Sequence, residues 1–206
     1  MNLYFIRHGE TEFNASNISQ GEDTELSDAG LAQTKILAER FFKIPVDMIY
    51  SSPMKRAKQT AEIINSSLKK DIIYSDYLKE RRAPSEFVGK RKDSSALIEI
   101  EKLRDLHEDD PLWHYSDEEN FFEYKERVEK FFNTLAETKE ENVLAVSHGG
   151  PIRMLVFLMM EKDPSPRAFC RFSDLFRLSN TGITFCKINK EGIYSVQVFN
   201  DHSHLG

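Results

Sequence analysis

Leu3-Tyr4-Phe5-Ile6-Arg7-His8-Gly9-Glu10-Thr11 sets four apolar residues directly before a cation, an imidazole and a glycine. A short unbroken apolar run suits a strand buried on both faces. The carboxyl ends of strands in open α/β sheets are where ligands bind, so Arg7 and His8 stand where chemistry is expected. Gly9 allows a sharp turn or a close approach of backbone to ligand. A guanidinium beside an imidazole is a poor pairing unless an anion lies between them, and phosphate is the natural one.

Working outward, further strands are predicted at residues 46–50, 71–74, 143–147, 183–188 and 193–199, besides 2–7. Helical patterns lie between them. Residues 28–43 present Leu31, Ile36, Leu37, Phe41 and Phe42, with Ser27 or Asp28 as the cap. Residues 53–67 open with Ser52 as N-cap and Pro53 at the first helical position. Residues 117–138 follow Ser116 and Glu119, a capping-box spacing, and offer Phe122, Val128, Phe131, Phe132 and Leu135 to a core. Gly149 to Glu161 reads as one more helix. Strands alternating with helices predict an α/β fold: a three-layer sandwich with a mostly parallel central sheet flanked by helices. The stretch after Glu80 breaks the alternation. It predicts a small helical cap at about residues 81–116, inserted into a single domain spanning 1–206. The cap's first part is basic (Arg81, Arg82, Lys90, Arg91, Lys92) and its second part acidic, from Glu99 to Asp110.

Composition narrows the class. With 40% hydrophobic and 30% charged residues the chain can fill a core, which argues against disorder. A net charge of -6 argues against a general nucleic-acid binder. Cys170 and Cys186 have neither metal-ligand spacing nor the density of a disulfide scaffold. No secretory leader is recognisable, and the apolar run Met154 to Met160 is far short of the ~20 residues that span a bilayer. A cytoplasmic protein with no membrane partner is expected; the oligomeric state is left open.

Four residue groups fall at strand ends or just beyond: Arg7-His8-Gly9-Glu10-Thr11 with Asn14, Ser51-Ser52-Pro53 with Arg56, Glu80, and Ser147-His148-Gly149-Gly150. Arg56 in the first turn of a helix adds its charge to unpaired N–H groups and the positive end of the helix dipole. Parallel strands would gather these groups at one crevice. In this order, together with Gly21, Asp23 to Leu26, Gly30, Gln33, Gln59-Thr60-Ala61, Leu78-Lys79-Glu80 and Asn180, they resemble the histidine phosphatase superfamily, the phosphoglycerate-mutase-like family, in its branch 1. The likeness runs over nearly the whole chain.

The resemblance implies a phosphomonoesterase that needs no metal or cofactor and acts on a small-molecule phosphomonoester. His8 would be the nucleophile and form a phosphohistidine. Arg7, Arg56, Asn14, Gly21 and Gly149 would bind the phosphoryl group, and His148 would complete the pocket around developing charge. Glu80 would protonate the leaving oxygen and later activate water, a role that needs a carboxyl able to hold a proton. The segment Glu80-Arg81-Arg82-Ala83-Pro84-Ser85-Glu86 departs from the family's commoner pattern, in which a glycine and an aromatic-acidic pair follow the acid, so Glu86 is a rival donor. His202 and His204 with Asp201 have a metal-like spacing but sit in a short tail. His107 and His114 fall in the cap and carry no catalytic expectation. The alternatives are a phosphoglycerate mutase-type phosphotransferase, a protein phosphohistidine phosphatase, and a non-catalytic phospholigand-binding protein. The last would be expected to lack the nucleophile or the pocket cations, all of which are present.

Overall fold

Alternation along the first strand builds the two cores. The computed structural model describes residues 1–206, and in β1 (Asn2–Arg7) Leu3 and Phe5 point to one face while Ile6 points to the other. The same split recurs in β4 (Asn142–Ser147), with Val143 and Ala145 against Leu144 and Val146, and in β2 (Met48–Ser51), with Tyr50 against Ile49. Both faces are therefore apolar and each needs a helical layer. Helices α2 (Asp28–Phe41) and α3 (Lys55–Leu68) cover one through Leu37, Phe41, Ala57, Ala61 and Ile64. Helices α5 (Phe121–Glu137), α6 (Gly149–Met160) and α7 (Pro166–Leu175) cover the other through residues such as Val128, Phe131, Leu155 and Phe169.

The six strands are ordered β3-β2-β4-β1-β5-β6, with β3 at Ile72–Tyr74, β5 at Ile183–Ile188 and β6 at Tyr194–Asp201. Pairs β1/β4, β2/β4 and β2/β3 are parallel, and only β5 runs against its neighbours. The sheet is thus mostly parallel, as the sequence predicts. Arg7 lies opposite Ser147, and Ser51 opposite Val146 and Tyr74, so these strands end side by side. No helix is long and apolar enough to cross a membrane.

Several local expectations are corrected. Helix α3 starts two residues late, with Met54 as N-cap, because the Ser52 hydroxyl sits against His148 at 2.9 Å and accepts from Met54 N at 3.3 Å. Helix α5 is capped by Asn120 in a capping box with Glu123, not by Ser116 with Glu119. Glu119 is taken up by Arg127, which it binds with both carboxylate oxygens. Phe42 and Phe122, expected in the core, are exposed, while Phe41 and Phe121 beside them are buried. Within the stretch expected as a cap, residues 81–116 hold a short turn at Ser85–Phe87 and α4 (Ser95–Leu106), which share a small cluster of Phe87, Leu97 and Ile100. One turn, α1 (Glu12–Ala15), completes the helices.

Helix α2 packs against the loop after β1 so closely that a methyl group on Gly30 would overlap the carbonyl oxygen of Glu10 and lie 2.8 Å from its amide nitrogen. Alanine normally favours a helix over glycine by ~1 kcal/mol. Here Gly30→Ala is expected to destabilise by about 1–3 kcal/mol, the usual result of overpacking. Urea unfolding checks this, and an unchanged midpoint would contradict the packing.

Candidate active site

His8 leaves the end of β1 and is buried, with 3% of its surface exposed. Its Nδ1–H donates to the carbonyl of Gly9 at 2.7 Å, which sets the tautomer and leaves a lone pair on Nε2. The Nε–H of Arg56 meets that lone pair at 3.3 Å. Arg56, in the first turn of α3, is held by the carbonyl of Gly21, which accepts from its Nη1 at 2.8 Å. Gly21 thus orients the arginine and does not itself line the cleft. Arg7 donates through Nη1 to the carbonyl of Leu178, while its buried Nε–H has no partner.

His148 follows β4 as N-cap of α6 and is fully buried. Its ring lies 5.1 Å from that of His8. One nitrogen, Nε2, meets the Ser52 hydroxyl and the other, Nδ1, is unpartnered. His148 backs the cleft wall behind His8 and does not open onto the cavity. Gly149 begins α6, whose first N–H groups lack helical partners. A methyl group there would lie 3.8 Å from Arg7 Nε and 3.9 Å from Arg153 Nη2, so two guanidinium groups flank the helix start.

Glu80 enters the same space from the chain leaving β3. Its Oε1 accepts from Arg81 N at 3.0 Å and its Oε2 from Gly150 N at 3.4 Å. Glu86 is exposed and lies outside the cleft, so of the two rival carboxyls only Glu80 lines it with His8. Asn14, in α1, accepts from Asn180 Nδ2 at 3.3 Å, leaving its own amide NH2 as the available donor. Asn180 also donates to the carbonyl of His8 at 3.0 Å. Thr181 next to it holds a left-handed backbone, φ 57°, unusual for a β-branched residue, and its amide donates to the carbonyl of Arg7 at 3.0 Å. The tail supports this turn: His204 Nε2 meets Thr181 Oγ1 at 3.0 Å. His202 is exposed, and no cluster of three metal-ligating side chains exists there or elsewhere.

The open cavity of about 870 Å³ has His8, Arg7, Arg56, Asn14, Glu80 and Gly149 on its floor. Glu101, Arg104, Asp105, His107 and Trp113 line the same cavity. Three side chains that sequence reasoning missed also face it. Arg153, the one charge in the apolar helix GGPIRMLVFLMM, donates to the carbonyls of Gly149 and Ser173, and that isolated charge was the available signal. Tyr124 and Arg177 gave no comparable signal in the sequence.

Burial, reinforced by Arg56 and then Arg7, holds the His8 imidazolium well below the ordinary histidine range, against an opposing bond to Gly9. His148 is depressed for the same first reason, with Arg56 and His8 adding to it. Burial also pulls Arg56 down to about 10, with Glu80 opposing and Arg7 assisting. Arg56 therefore stays cationic at neutral pH. The floor presents the neutral imidazole of His8, backed by that of His148, beside the guanidinium groups of Arg7 and Arg56, a set that can attack and hold a phosphoryl group.

Comparison with known proteins agrees with this geometry. The model of the histidine phosphatase superfamily (branch 1) matches residues 3–202. The chain is 30% identical over 210 residues to "Probable phosphatase C1687.21" of Schizosaccharomyces pombe, covering 100% of this chain and 95% of that one. A phosphoserine phosphatase mutant from Entamoeba histolytica, solved with phosphoserine, superposes with a TM-score of 0.80 at 26% identity over 100% of this chain and 99% of that one. The phosphoserine phosphatase from the same organism, solved with 3-phosphoglyceric acid, gives 0.79 at 27% identity, again over 100% and 99%. A family model matching nearly the whole chain and a phosphatase relative covered along its length agree: the chain belongs to branch 1 of the histidine phosphatase superfamily.

Proposed function

We propose that this phosphatase hydrolyses a small phosphorylated metabolite through a phosphohistidine on His8. The observation that carries the reading is the lone pair on His8 Nε2, kept free of a proton and covered only by the Nε–H of Arg56. In the reaction that N–H passes to a phosphoryl oxygen. Nε2 attacks phosphorus, the bond to the ester oxygen breaks, and the departing oxygen takes its electron pair and a proton from Glu80. Water then attacks phosphorus and gives a proton back to Glu80, and the P–N pair returns to Nε2. Arg7, Arg56 and the start of α6 supply the positive charge, with Asn14 as a further donor. His148, which touches the back of this group, stabilises charge as it develops.

Residues 81–116 act as the cap within the single domain: Arg81, Lys92, Glu101, Arg104 and Trp113 from this stretch line the same cleft as His8. A cleft walled in part by a cap favours a small substrate over a protein. The complexes of the Entamoeba histolytica relative, with phosphoserine and 3-phosphoglyceric acid, support the same size class. Two unpaired thiols, Cys170 and Cys186, suit a cytoplasmic setting.

Three outcomes test the assignment. With 4-nitrophenyl phosphate and a chelator present, the wild-type protein should release phosphate and His8→Ala should lose at least about 1000-fold in turnover; activity surviving the substitution would sink the nucleophile. With an alkyl phosphate, Glu80→Gln should lose roughly 10²–10⁴-fold and Glu86→Gln almost nothing, and the reverse pattern would move the acid to Glu86.

The third is stability in acid. Native His8 and His148 stay neutral while their unfolded forms take up protons below about pH 6.5. Their contribution is fully present above that pH and lost as pH falls through it, at about 1.4 kcal/mol per pH unit for each. Denaturant unfolding between pH 7 and 5 should show this slope, and His148→Gln should remove about half of it. An unchanged slope would mean that His148 is protonated in the native state.

A further inference from the structure

Tyr124 carries a buried hydroxyl that nothing in the folded chain satisfies. The residue is 1% exposed, and its Oη has no hydrogen-bond partner. Its ring is packed in the core and has two guanidinium groups over it, Arg81 at 5.7 Å and Arg127 at 5.5 Å, which hold its orientation. A buried donor left unmade is costly and is rarely retained without a use.

Its surroundings show which use. A methyl group on Gly150 would overlap Glu80 Oε1 and lie 2.9 Å from Tyr124 Oη, so carboxyl and phenol share one small space at the start of α6. Both oxygens of Glu80 already accept main-chain N–H groups, from Arg81 and Gly150. The hydroxyl is next to Glu80 without being bonded to it, and Tyr124 is one of the residues around the cleft that holds His8. Burial and the nearby Glu80 carboxylate push the phenol well above its ordinary range, so it keeps its proton and can always donate. Ser173, another residue around this cleft, also has a buried hydroxyl without a partner.

We propose that Tyr124 is a specificity-determining residue: its hydroxyl donates to an oxygen on the alcohol half of the substrate, on the carbon next to the one bearing the ester oxygen that Glu80 protonates. The substrate class is then a polyol or hydroxy-acid phosphate, in preference to a simple alkyl or aryl phosphate. This rests on the phosphatase reading and on Glu80 marking the leaving-group side. A leaving group without the second oxygen would leave the donor unpaired in the complex, which is how a site built around a hydroxyl rejects an analogue that lacks it.

The experiment compares the wild-type protein with Tyr124→Phe on glycerol 3-phosphate, n-propyl phosphate and 4-nitrophenyl phosphate, with thermal unfolding of both. The wild type should prefer glycerol 3-phosphate to propyl phosphate. Tyr124→Phe should lower kcat/KM for glycerol 3-phosphate about tenfold and leave the other two within about twofold. Its Tm should hold or rise, since the substitution removes only an unsatisfied group. Equal losses on all three substrates, no loss on any, or a fall in Tm would each overturn the proposal. His8→Ala on 4-nitrophenyl phosphate separates the two levels: if it abolishes turnover while Tyr124→Phe shows no substrate dependence, the phosphatase reading stands and this one falls. If the wild type hydrolyses none of the three, both fall.

Discussion

Parallel pairing of β1 with β4, in the register that sets Arg7 against Ser147, is the constraint on which the rest depends. The residues after those two positions are His8 and His148, so the register alone brings two imidazoles to 5.1 Å. A slip of one residue would also exchange the two faces of the sheet, moving Leu3 and Phe5 out of the core they share with α5 and α6. Hydrophobic burial of the sheet therefore enforces the spacing of the two imidazoles. The same end of the sheet receives Ser52 from β2 and, through Leu78, the chain that delivers Glu80. The side chain of Leu78 is locked in the core, and its carbonyl accepts from Ser147 at 2.7 Å.

That edge is electrostatically one-sided. Arg7 and Arg56 are bound by carbonyl oxygens and carry no carboxylate partner, while ion pairs elsewhere, such as Arg127 with Glu119, are complete. Burying cations without counter-ions is unfavourable. Burial of the two imidazoles, reinforced by these guanidinium groups, keeps them neutral, and the uncompensated positive charge on the floor suits an anionic ligand. Unpaired polar atoms gather here too: Arg7 Nε, His148 Nδ1, Tyr124 Oη and Ser173 Oγ all lie in or behind the cleft. A fold tuned for stability alone would pair these groups; this one holds them ready for a ligand.

Much of this was legible in the residues. The apolar run before Arg7 and the alternation of strands and helices were sufficient to expect the layered sheet. The order of the R-H-G, Ser52-Pro53-Arg56, Glu80 and Ser147-His148-Gly149 groups was sufficient to expect one crevice. What could not be read was set by tertiary competition. Ser52 looked like a helix cap but is occupied by His148, so the helix begins later. Glu119 looked like the acidic member of a capping box but is claimed by Arg127. Gly21 matched a phosphate-binding pattern, yet its carbonyl orients Arg56. Tyr124 is invisible in sequence because its ring reads as ordinary core; only the lack of a partner for its hydroxyl distinguishes it.

The turn at Asn180 and Thr181 shows how remote parts of the chain share in holding His8. Asn180 grips the carbonyl of His8 and the side chain of Asn14, and Thr181 grips the carbonyl of Arg7. Thr181 does so from a left-handed conformation that costs energy for a β-branched residue. Such a conformation persists only where neighbours over-determine it, and here the neighbour is the C-terminal turn. His204 meets the Thr181 hydroxyl, and the turn is moored to α2 through Arg40, which binds Asp201 and Ser203. His8, just past β1, is thus steadied by residues nearly two hundred positions away. Preorganisation of this kind fixes its imidazole before a ligand arrives, so less of the binding energy is consumed in ordering the site.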